Sequence, residues 1–231
     1  MTNLAHDIRT PLTTLIGYLD CIHRGGVTDD AKSEYFERAL DKAQNMKNYI
    51  DKIFEWFRLC AGEDKYTVEP QDFTELTRVA IKKWITVFEI NNIDYDIVLP
   101  DELIVVMLDP VGYQMIVDNL IQNVVCHSMA SKIEICAQKN NNEVTLTIRD
   151  NGIGISQEDV KHIFERLYKC DKGRKGTGNG LGLNITQKLV ELMKGKISVD
   201  SVYGQYTSFV LSFLVTEIDG RELGDITDSK N

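Results

Sequence analysis

The spacing of hydrophobic residues in the first sixty positions predicts two consecutive amphipathic helices. Apolar residues recur every three or four positions at Leu4, Ile8, Leu12, Leu15, Leu19 and Ile22. Gly25 and Gly26 interrupt this pattern, and Thr28 is placed to cap a second helix whose apolar positions continue to Phe57. Because two such helices rarely bury both apolar stripes alone, we expect the hairpin to pair with a second copy into a four-helix bundle.

The pattern then changes from purely helical to mixed. Residues 59–72 carry Gly, Pro and charge without periodicity, which predicts a linker. Beyond it the sequence predicts helices near 73–90, 110–126 and 184–193, and strands within 93–100, 103–109, 132–138, 143–150, 196–202 and 206–215. The predicted fold is therefore α+β, a helical hairpin followed by an α/β sandwich. We divide it into a hairpin at 1–62, a second domain at 63–218 and a polar tail at 219–231.

Composition narrows the classes of partner. With 231 residues and a net charge of −9, the chain would repel nucleic acid and anionic membranes, so neither is expected as a partner. The five cysteines form no CxxC pair, which argues against a disulfide framework or a zinc cluster and favours a reducing compartment. No apolar run approaches the roughly 20 residues of a membrane span.

The first candidate for chemistry is His6 in the segment "HDIRTPL". At 100° per residue, His6 lies about 160° from both Leu4 and Ile8, so it points away from the apolar seam. Thr10, Thr13 and Gly17 share its face, and their small side chains suit the close approach of another protein. An adjacent carboxylate, Asp7, can fix the imidazole tautomer and accept its proton when the free nitrogen attacks.

The second candidate is a group of polar and glycine-rich segments in the second domain. In "DNLIQNVVCHS", Asn119 and Asn123 lie one helical turn apart, opposite an apolar face, and amide oxygens suit Mg²⁺. Asp150 ends a predicted strand at "RDNGIGI", where Gly152 and Gly154 permit a tight turn and the carboxylate can accept from an adenine amino group. The glycines of "KGTGNGLGLNI" precede a helix and offer N–H groups to phosphates, namely Gly176, Gly178, Gly180 and Gly182. Lys169, Lys172, Arg174 and Lys175 supply local positive charge.

Together these motifs resemble a known family. "HDIRTPL" resembles the H box of sensor histidine kinases of two-component systems. "NLIQN", "DNGIGI", "IFERLY" and "GNGLGL" are similar, in this order, to the N, G1, F and G2 boxes of the kinase catalytic domain, which shares its ATP-binding fold with gyrase, mismatch-repair and chaperone ATPases. The resemblance covers about residues 4–214.

The resemblance implies roles for individual residues. His6 would be autophosphorylated from ATP, with Asp7 as its acid/base partner and Thr10 positioning water when such kinases dephosphorylate their partner. Asn123 would bind Mg²⁺ with support from Asn119. Asp150 would read adenine beside His127, Lys169 would touch phosphate, and the box residues Gly152, Gly154, Gly178, Gly180, Leu181 and Gly182 would complete the site. Two positions depart from the family pattern, since Cys126 replaces a basic residue and Leu167 replaces a Phe.

The resemblance also implies partners. The phosphoryl group would pass from His6 to an Asp of a response regulator, and the hairpin would form a homodimer. Such hairpins follow a sensor part, so we expect these residues to be cytoplasmic and the parent protein to be anchored in the cell membrane. Two alternatives remain: a weak or inactive relative that binds or dephosphorylates a regulator, and an ATPase of the gyrase or chaperone class.

Overall fold

The structure is a computed structural model that describes residues 4–25, 28–62, 66–170 and 180–216. These residues separate into two compact units, with the division after Ala61. Within the described ranges, no helix combines the length and the hydropathy that a membrane span requires.

The first unit is the predicted helical hairpin. Helix α1 (Leu4–Arg24) continues through Pro11, and helix α2 (Asp29–Ala61) begins after Thr28, whose hydroxyl accepts a hydrogen bond from the Ala31 N–H at 3.4 Å. The hairpin buries Ala39, Tyr49 and Ile53, and the rings of Tyr18 and Tyr35 lie 5.7 Å apart. Many large apolar side chains of a single chain stay exposed, namely Leu12, Ile16, Leu19, Phe36, Leu40, Phe54 and Phe57. The predicted seam of α1 is therefore only partly buried within one chain.

The second unit is an α/β sandwich. One layer is a five-stranded sheet in the order β2-β4-β5-β7-β6, in which β2 pairs parallel to β4 and all other pairs are antiparallel. Its strands are β2 (Asp94–Val98), β4 (Lys132–Asn140), β5 (Glu143–Asp150), β6 (Lys196–Val202) and β7 (Tyr206–Leu214). A separate two-stranded sheet pairs β1 (Glu69–Asp72) antiparallel with β3 (Val105–Leu108).

Helices cover one face of the five-stranded sheet. They are α3 (Phe73–Ile90), α4 (Pro110–Asn123), α5 (Gln157–Val160) and α6 (Gly182–Leu192). Val144, Leu146 and Ile148 of β5 are buried as their alternation predicts, because one face of the strand meets the helices. Phe73, Tyr113 and Phe213 form an aromatic cluster with ring centroids 5.7 to 6.3 Å apart. The predicted fold class is confirmed for the hairpin and for the sandwich.

Two sequence predictions were wrong in their details. The predicted linker at 59–72 is too long, since helix α2 reaches Ala61 and Glu69–Asp72 form strand β1. Asp72 also caps α3 by accepting from the backbone N–H groups of Thr74 and Glu75. The helix predicted to reach Cys126 instead ends at Asn123, and a π-helical turn follows at Val124–Ser128.

Candidate functional site

The first candidate residues lie on α1. His6 and Asp7 belong to the helix, but their side chains lie outside the described part of the structure. Thr10, Thr13 and Gly17, which share the predicted face, are all exposed. A Cβ atom at Gly17 would have no other atom within 4 Å. This face is therefore open to another molecule, as the sequence predicts.

Helix α4 presents one apolar and one amide face. Asp109 fixes its start, since its carboxylate accepts from the Gly112 N–H at 2.6 Å and from the Thr67 N–H at 2.7 Å. The apolar positions Val117, Leu120 and Ile121 are fully buried. Asn119 and Asn123 are consequently half-buried on another side of the helix, while Gln122 is exposed. The predicted division of this helix into two faces is confirmed.

The π-helical turn after α4 connects the amide face to the next loop. Cys126 and His127 are exposed on it. Ser128, at its end, is buried, and its hydroxyl donates to the Val124 carbonyl at 2.7 Å and accepts from the Ala130 N–H at 3.1 Å. The Ser128 carbonyl accepts from the Ile153 N–H at 2.7 Å. Ser128 thus joins the end of α4 to the loop that follows β5, a role that the motif analysis missed.

Asp150 is a buried carboxylate at the end of β5. Its side chain accepts from the Gly152 N–H at 2.9 Å, and the residue is 3% exposed. Burial raises the pKa of this carboxyl, while the hydrogen bond from the Gly152 N–H and the nearby Ser128 hydroxyl act in the opposite direction. An oriented carboxylate with little access to water is suited to accept a hydrogen bond from an amino group of a ligand.

The glycines after Asp150 are required by close backbone approach. A Cβ atom at Gly152 would lie 2.1 Å from the Ser128 carbonyl oxygen. At Gly154, where φ is +65°, it would lie 2.1 Å from the Val202 carbonyl oxygen. No side chain fits at either position without movement of the main chain. The loop is therefore held between the π-helical turn and the β6–β7 turn.

The start of α6 is suited to bind an anion. The helices α3, α4 and α5 each have a side-chain cap at their first turn, from Asp72, Asp109 and Ser156, whereas Leu181 provides none for α6. Among the described residues, the first N–H groups of α6 thus have no capping side chain at the positive end of the helix dipole. A Cβ atom at Gly182 would lie 3.4 Å from the Asn119 Oδ1 atom, so this helix end adjoins the amide face of α4.

The amide face also carries a buried polar atom that the described part of the fold leaves unsatisfied. The Asn123 side-chain nitrogen is buried and has no hydrogen-bond partner within the described ranges. A buried amide that the fold leaves unsatisfied is typical of a ligand site. An amide oxygen is a suitable ligand for Mg²⁺, which usually completes its shell with water and phosphate oxygens. The side-chain oxygens of Asn119 and Asn123 are of the type that the predicted metal requires, whereas the unsatisfied Asn123 nitrogen is a donor and is suited to an acceptor atom of a ligand.

The structure places several of the predicted pocket residues in two groups of contacts. Asn119 adjoins Gly182, and the π-helical turn that carries His127 contacts the Asp150 loop through Ser128. Leu181 is buried, and Lys169 is exposed. Gly178 lies outside the described residues, as do Lys172, Arg174 and Lys175.

A cleft of about 420 Å³ lies beside the end of β5 and shares Asp150 with the candidate site. It is lined by Lys132, Glu134, Arg149, Asp150, Asn151, Gln205 and Tyr206. Lys132 is paired with Glu134 at 2.7 Å, and the Arg149 guanidinium lies 4.3 Å from the centre of the Tyr206 ring. These charged groups already have partners within the fold, so they stabilise neighbouring strands rather than offer a phosphate site.

Comparison with known proteins identifies two domain models in the chain. Residues 108–217 match the model described as "Histidine kinase-, DNA gyrase B-, and HSP90-like ATPase". Residues 1–62 match the "His Kinase A (phospho-acceptor) domain". The two matches follow the order of the boxes along the sequence.

A curated relative covers both domains. The sensor protein kinase WalK of Staphylococcus haemolyticus (strain JCSC1435) is 32% identical over 227 residues, which is 95% of this chain and 37% of that protein. The chain therefore spans a little over a third of the length of this relative.

Two solved structures have the same fold at low sequence identity. The histidine kinase AdeS of Acinetobacter baumannii has a TM-score of 0.74 and 21% identity, covering 92% of this chain and 98% of that one. The histidine kinase ThkA, solved in complex with the response regulator protein TrrA, has a TM-score of 0.74 and 20% identity, covering 92% of this chain and 60% of that one.

Proposed function

Because the chain belongs to the sensor histidine kinases of two-component systems, we propose that it transfers the γ-phosphoryl group of ATP to His6. One observation carries this proposal. The half-buried amide face of α4 adjoins the uncapped start of α6, in a chain whose residues 1–62 match a phospho-acceptor domain. The predicted division at 62/63 would separate the phosphoryl acceptor from the nucleotide site.

In this proposal the adenine is read by Asp150. Its carboxylate accepts a hydrogen bond from the adenine amino group, while the Gly152 N–H holds the carboxylate in place. His127 packs near the base from the π-helical turn. The close-packed Gly152 and Gly154 keep the loop rigid, which lowers the entropy cost of ordering the site when the nucleotide binds.

The phosphates lie at the start of α6. Gly180, Leu181 and Gly182 present backbone N–H groups to their oxygens, and Lys169 contributes positive charge. Asn123 would bind Mg²⁺ through its side-chain oxygen, with Asn119 hydrogen-bonding nearby. When bound, Mg²⁺ neutralises negative charge on the phosphate oxygens.

The phosphoryl transfer proceeds at His6. The unprotonated imidazole nitrogen attacks the γ-phosphorus, so that a P–N bond forms and the P–O bond to the departing ADP breaks. Asp7 accepts the proton from the other ring nitrogen. The phosphohistidine then donates the phosphoryl group to an Asp carboxylate of a response regulator, with formation of a P–O bond and cleavage of the P–N bond. ThkA was solved with a response regulator, which supports this class of partner.

The exposed face of α1 supports the docking step. Thr10, Thr13 and Gly17 are exposed and small, so a receiver domain can approach the helix closely beside His6. Thr10 is placed one turn after His6, where it positions water for the reverse task of dephosphorylating the regulator. The exposed apolar residues of the hairpin favour a homodimer. We further propose that the parent protein is anchored in the cell membrane, with these residues on the cytoplasmic side.

Mapping of the phosphoryl group tests this function. The chain is incubated with ATP and Mg²⁺, digested at neutral or alkaline pH to preserve P–N bonds, and analysed by mass spectrometry. We expect a single phosphorylated peptide that contains His6. Nucleotide binding without phosphorylation would favour an inactive relative, and release of phosphate without labelled protein would favour an ATPase.

A further inference from the structure

The residues that precede and follow 171–179 contact one another. The Leu167 N–H donates to the Gly180 carbonyl at 2.8 Å. Gly180 has φ +66°, and a Cβ atom there would lie 2.7 Å from the Leu167 carbonyl carbon and 2.7 Å from the Tyr168 carbonyl oxygen. Gly180 therefore lies directly against the backbone of Leu167 and Tyr168.

A side chain of α6 forms a second hydrogen bond between these two segments. The Asn184 side-chain N–H donates to the Phe164 carbonyl at 2.7 Å. Asn184 lies in the first turn of α6, and it is half-buried. The Phe164 ring in turn contacts the Phe209 ring of the sheet, with centroids 6.5 Å apart. One amide thus connects the helix end to a segment that is itself anchored on the sheet.

The neighbouring side chains at this junction are buried. Leu167 and Leu181, which lie next to these two hydrogen bonds, are 6% and 1% exposed. Leu167 has φ +62°, a conformation that a branched-chain residue adopts only when its surroundings impose it. A hydrogen bond in such partly dry surroundings contributes more than one at the open surface, and its loss would leave the Phe164 carbonyl with one donor contact fewer.

We infer that Asn184 is a positioning residue for the phosphates of the nucleotide. The inference rests on the proposed function, in which the start of α6 holds those phosphates. Asn184 fixes the Phe164–Tyr168 segment to the turn whose N–H groups face the phosphates, so its loss lets the two shift apart. The adenine end of the site is built separately, by the bonds that join Ser128, Asp150 and the Gly152 loop.

The test compares a ligand with phosphates and one without. Binding of ATP with Mg²⁺ and of adenosine is measured by titration calorimetry on the full chain. We expect Asn184→Ala to weaken ATP binding about fivefold, the value of one hydrogen bond of about 1 kcal/mol, and to leave adenosine binding unchanged. Asn184→Leu keeps the approximate size of the side chain without the donor and without an added charge, so it should weaken ATP binding by a similar factor.

A matched control uses another asparagine. Asn140 is exposed on β4, and Asn140→Ala should leave both affinities unchanged. Equal losses of ATP and adenosine binding in the Asn184 variants would show a merely structural role and overturn the inference, as would unchanged ATP binding in both. If the unaltered chain bound neither ligand, the proposed function would fall together with the inference.

Discussion

The Asp150 carboxylate accepts a hydrogen bond from the backbone N–H of Gly152, two residues later in the chain, at 2.9 Å. The contact closes the turn after β5 and orients a carboxylate that is almost fully buried. Burial raises the pKa of this group. The same burial that prepares the carboxylate to read a base thus makes it easier to protonate.

Nucleotide binding should therefore weaken on acidification. A protonated Asp150 no longer offers an ionised acceptor to the adenine amino group, and its raised pKa places this loss at a higher pH than for an ordinary aspartate. ATP affinity measured across the acidic range should fall as the pH drops through that pKa. Asp150→Asn, which does not titrate, should bind weakly with a flatter pH profile. Identical profiles for the two proteins would contradict the assigned role.

The space available to a side chain differs between Gly154 and Gly204. We therefore predict that replacing Gly154 lowers the free energy of unfolding more than replacing Gly204. Gly154 (φ +65°) and Gly204 (φ +80°) both have positive φ. A Cβ atom at Gly154 would lie 2.1 Å from the Val202 carbonyl oxygen, whereas one at Gly204 would meet open space. Asparagine tolerates this region of φ. Gly154→Asn should lower the free energy of unfolding by about 2 kcal/mol, and Gly204→Asn should change it by about 0.5 kcal/mol or less.

Thermal and denaturant unfolding of the two variants checks this prediction. Because the Gly154 loop also carries Asp150, the Gly154→Asn protein should lose ATP affinity as well. Equal stability of the two variants would show that the β6–β7 turn moves away without cost and does not support the loop.

Replacement of Asn123 should remove the dependence of nucleotide binding on magnesium. Its side-chain nitrogen has no hydrogen-bond partner in the described part of the fold, so Asn123→Ala gives up no hydrogen bond from that nitrogen. ATP affinity of this variant should be nearly the same with Mg²⁺ and with a chelator, whereas the unaltered chain should bind more tightly with Mg²⁺. Gln122→Ala, at the adjacent exposed position, serves as the control and should keep the magnesium effect. A full magnesium effect in Asn123→Ala would exclude this residue as the ligand.

The exposed apolar side chains of the hairpin predict that the chain forms a homodimer. Phe54 is 62% exposed in a single chain, although it lies on a helix that packs against its hairpin partner. Burying such residues against a second copy would stabilise a dimer by about 25 cal/mol per Å² of apolar surface. Sedimentation should show a dimer for the unaltered chain and a shift towards monomer for Phe54→Ser. Ile90→Ser, which replaces a residue 74% exposed in the second unit, should remain dimeric. A monomeric unaltered chain at high concentration would refute the homodimer.

Periodicity made the main elements predictable. Helix α3 was predicted at 73–90 and lies at Phe73–Ile90, because a regular apolar stripe marks it locally, whereas its cap residue Asp72 was assigned to the linker. Strand β1 was missed since its four residues, which include Pro70, become a strand only by pairing with β3, a partner more than thirty residues away. The π-helical turn at Val124–Ser128 was also missed, because a helical pattern in the sequence does not distinguish α from π geometry.

The residue types of the candidate site could be predicted from sequence motifs, but the contacts between distant segments could not. The asparagines and glycines of the proposed nucleotide pocket were visible in the sequence, and their assignment to a nucleotide stays a prediction. The reasons for Gly152 and Gly154, close approach to the Ser128 and Val202 carbonyls, depend on distant segments that meet only in the fold. Asn184 gave no signal at all, since its bond to Phe164 joins residues twenty positions apart.

The most direct test of the central claim is labelling with ATP carrying a radioactive γ-phosphate, in the presence of Mg²⁺, for the unaltered chain and for His6→Gln. We predict an acid-labile, alkali-stable label on the unaltered chain and none on His6→Gln, with ATP affinity retained by both. His23→Gln, at an exposed position near the end of α1, should label normally. Equal labelling of His6→Gln and the unaltered chain would contradict the account, because the phosphoryl acceptor would then lie elsewhere.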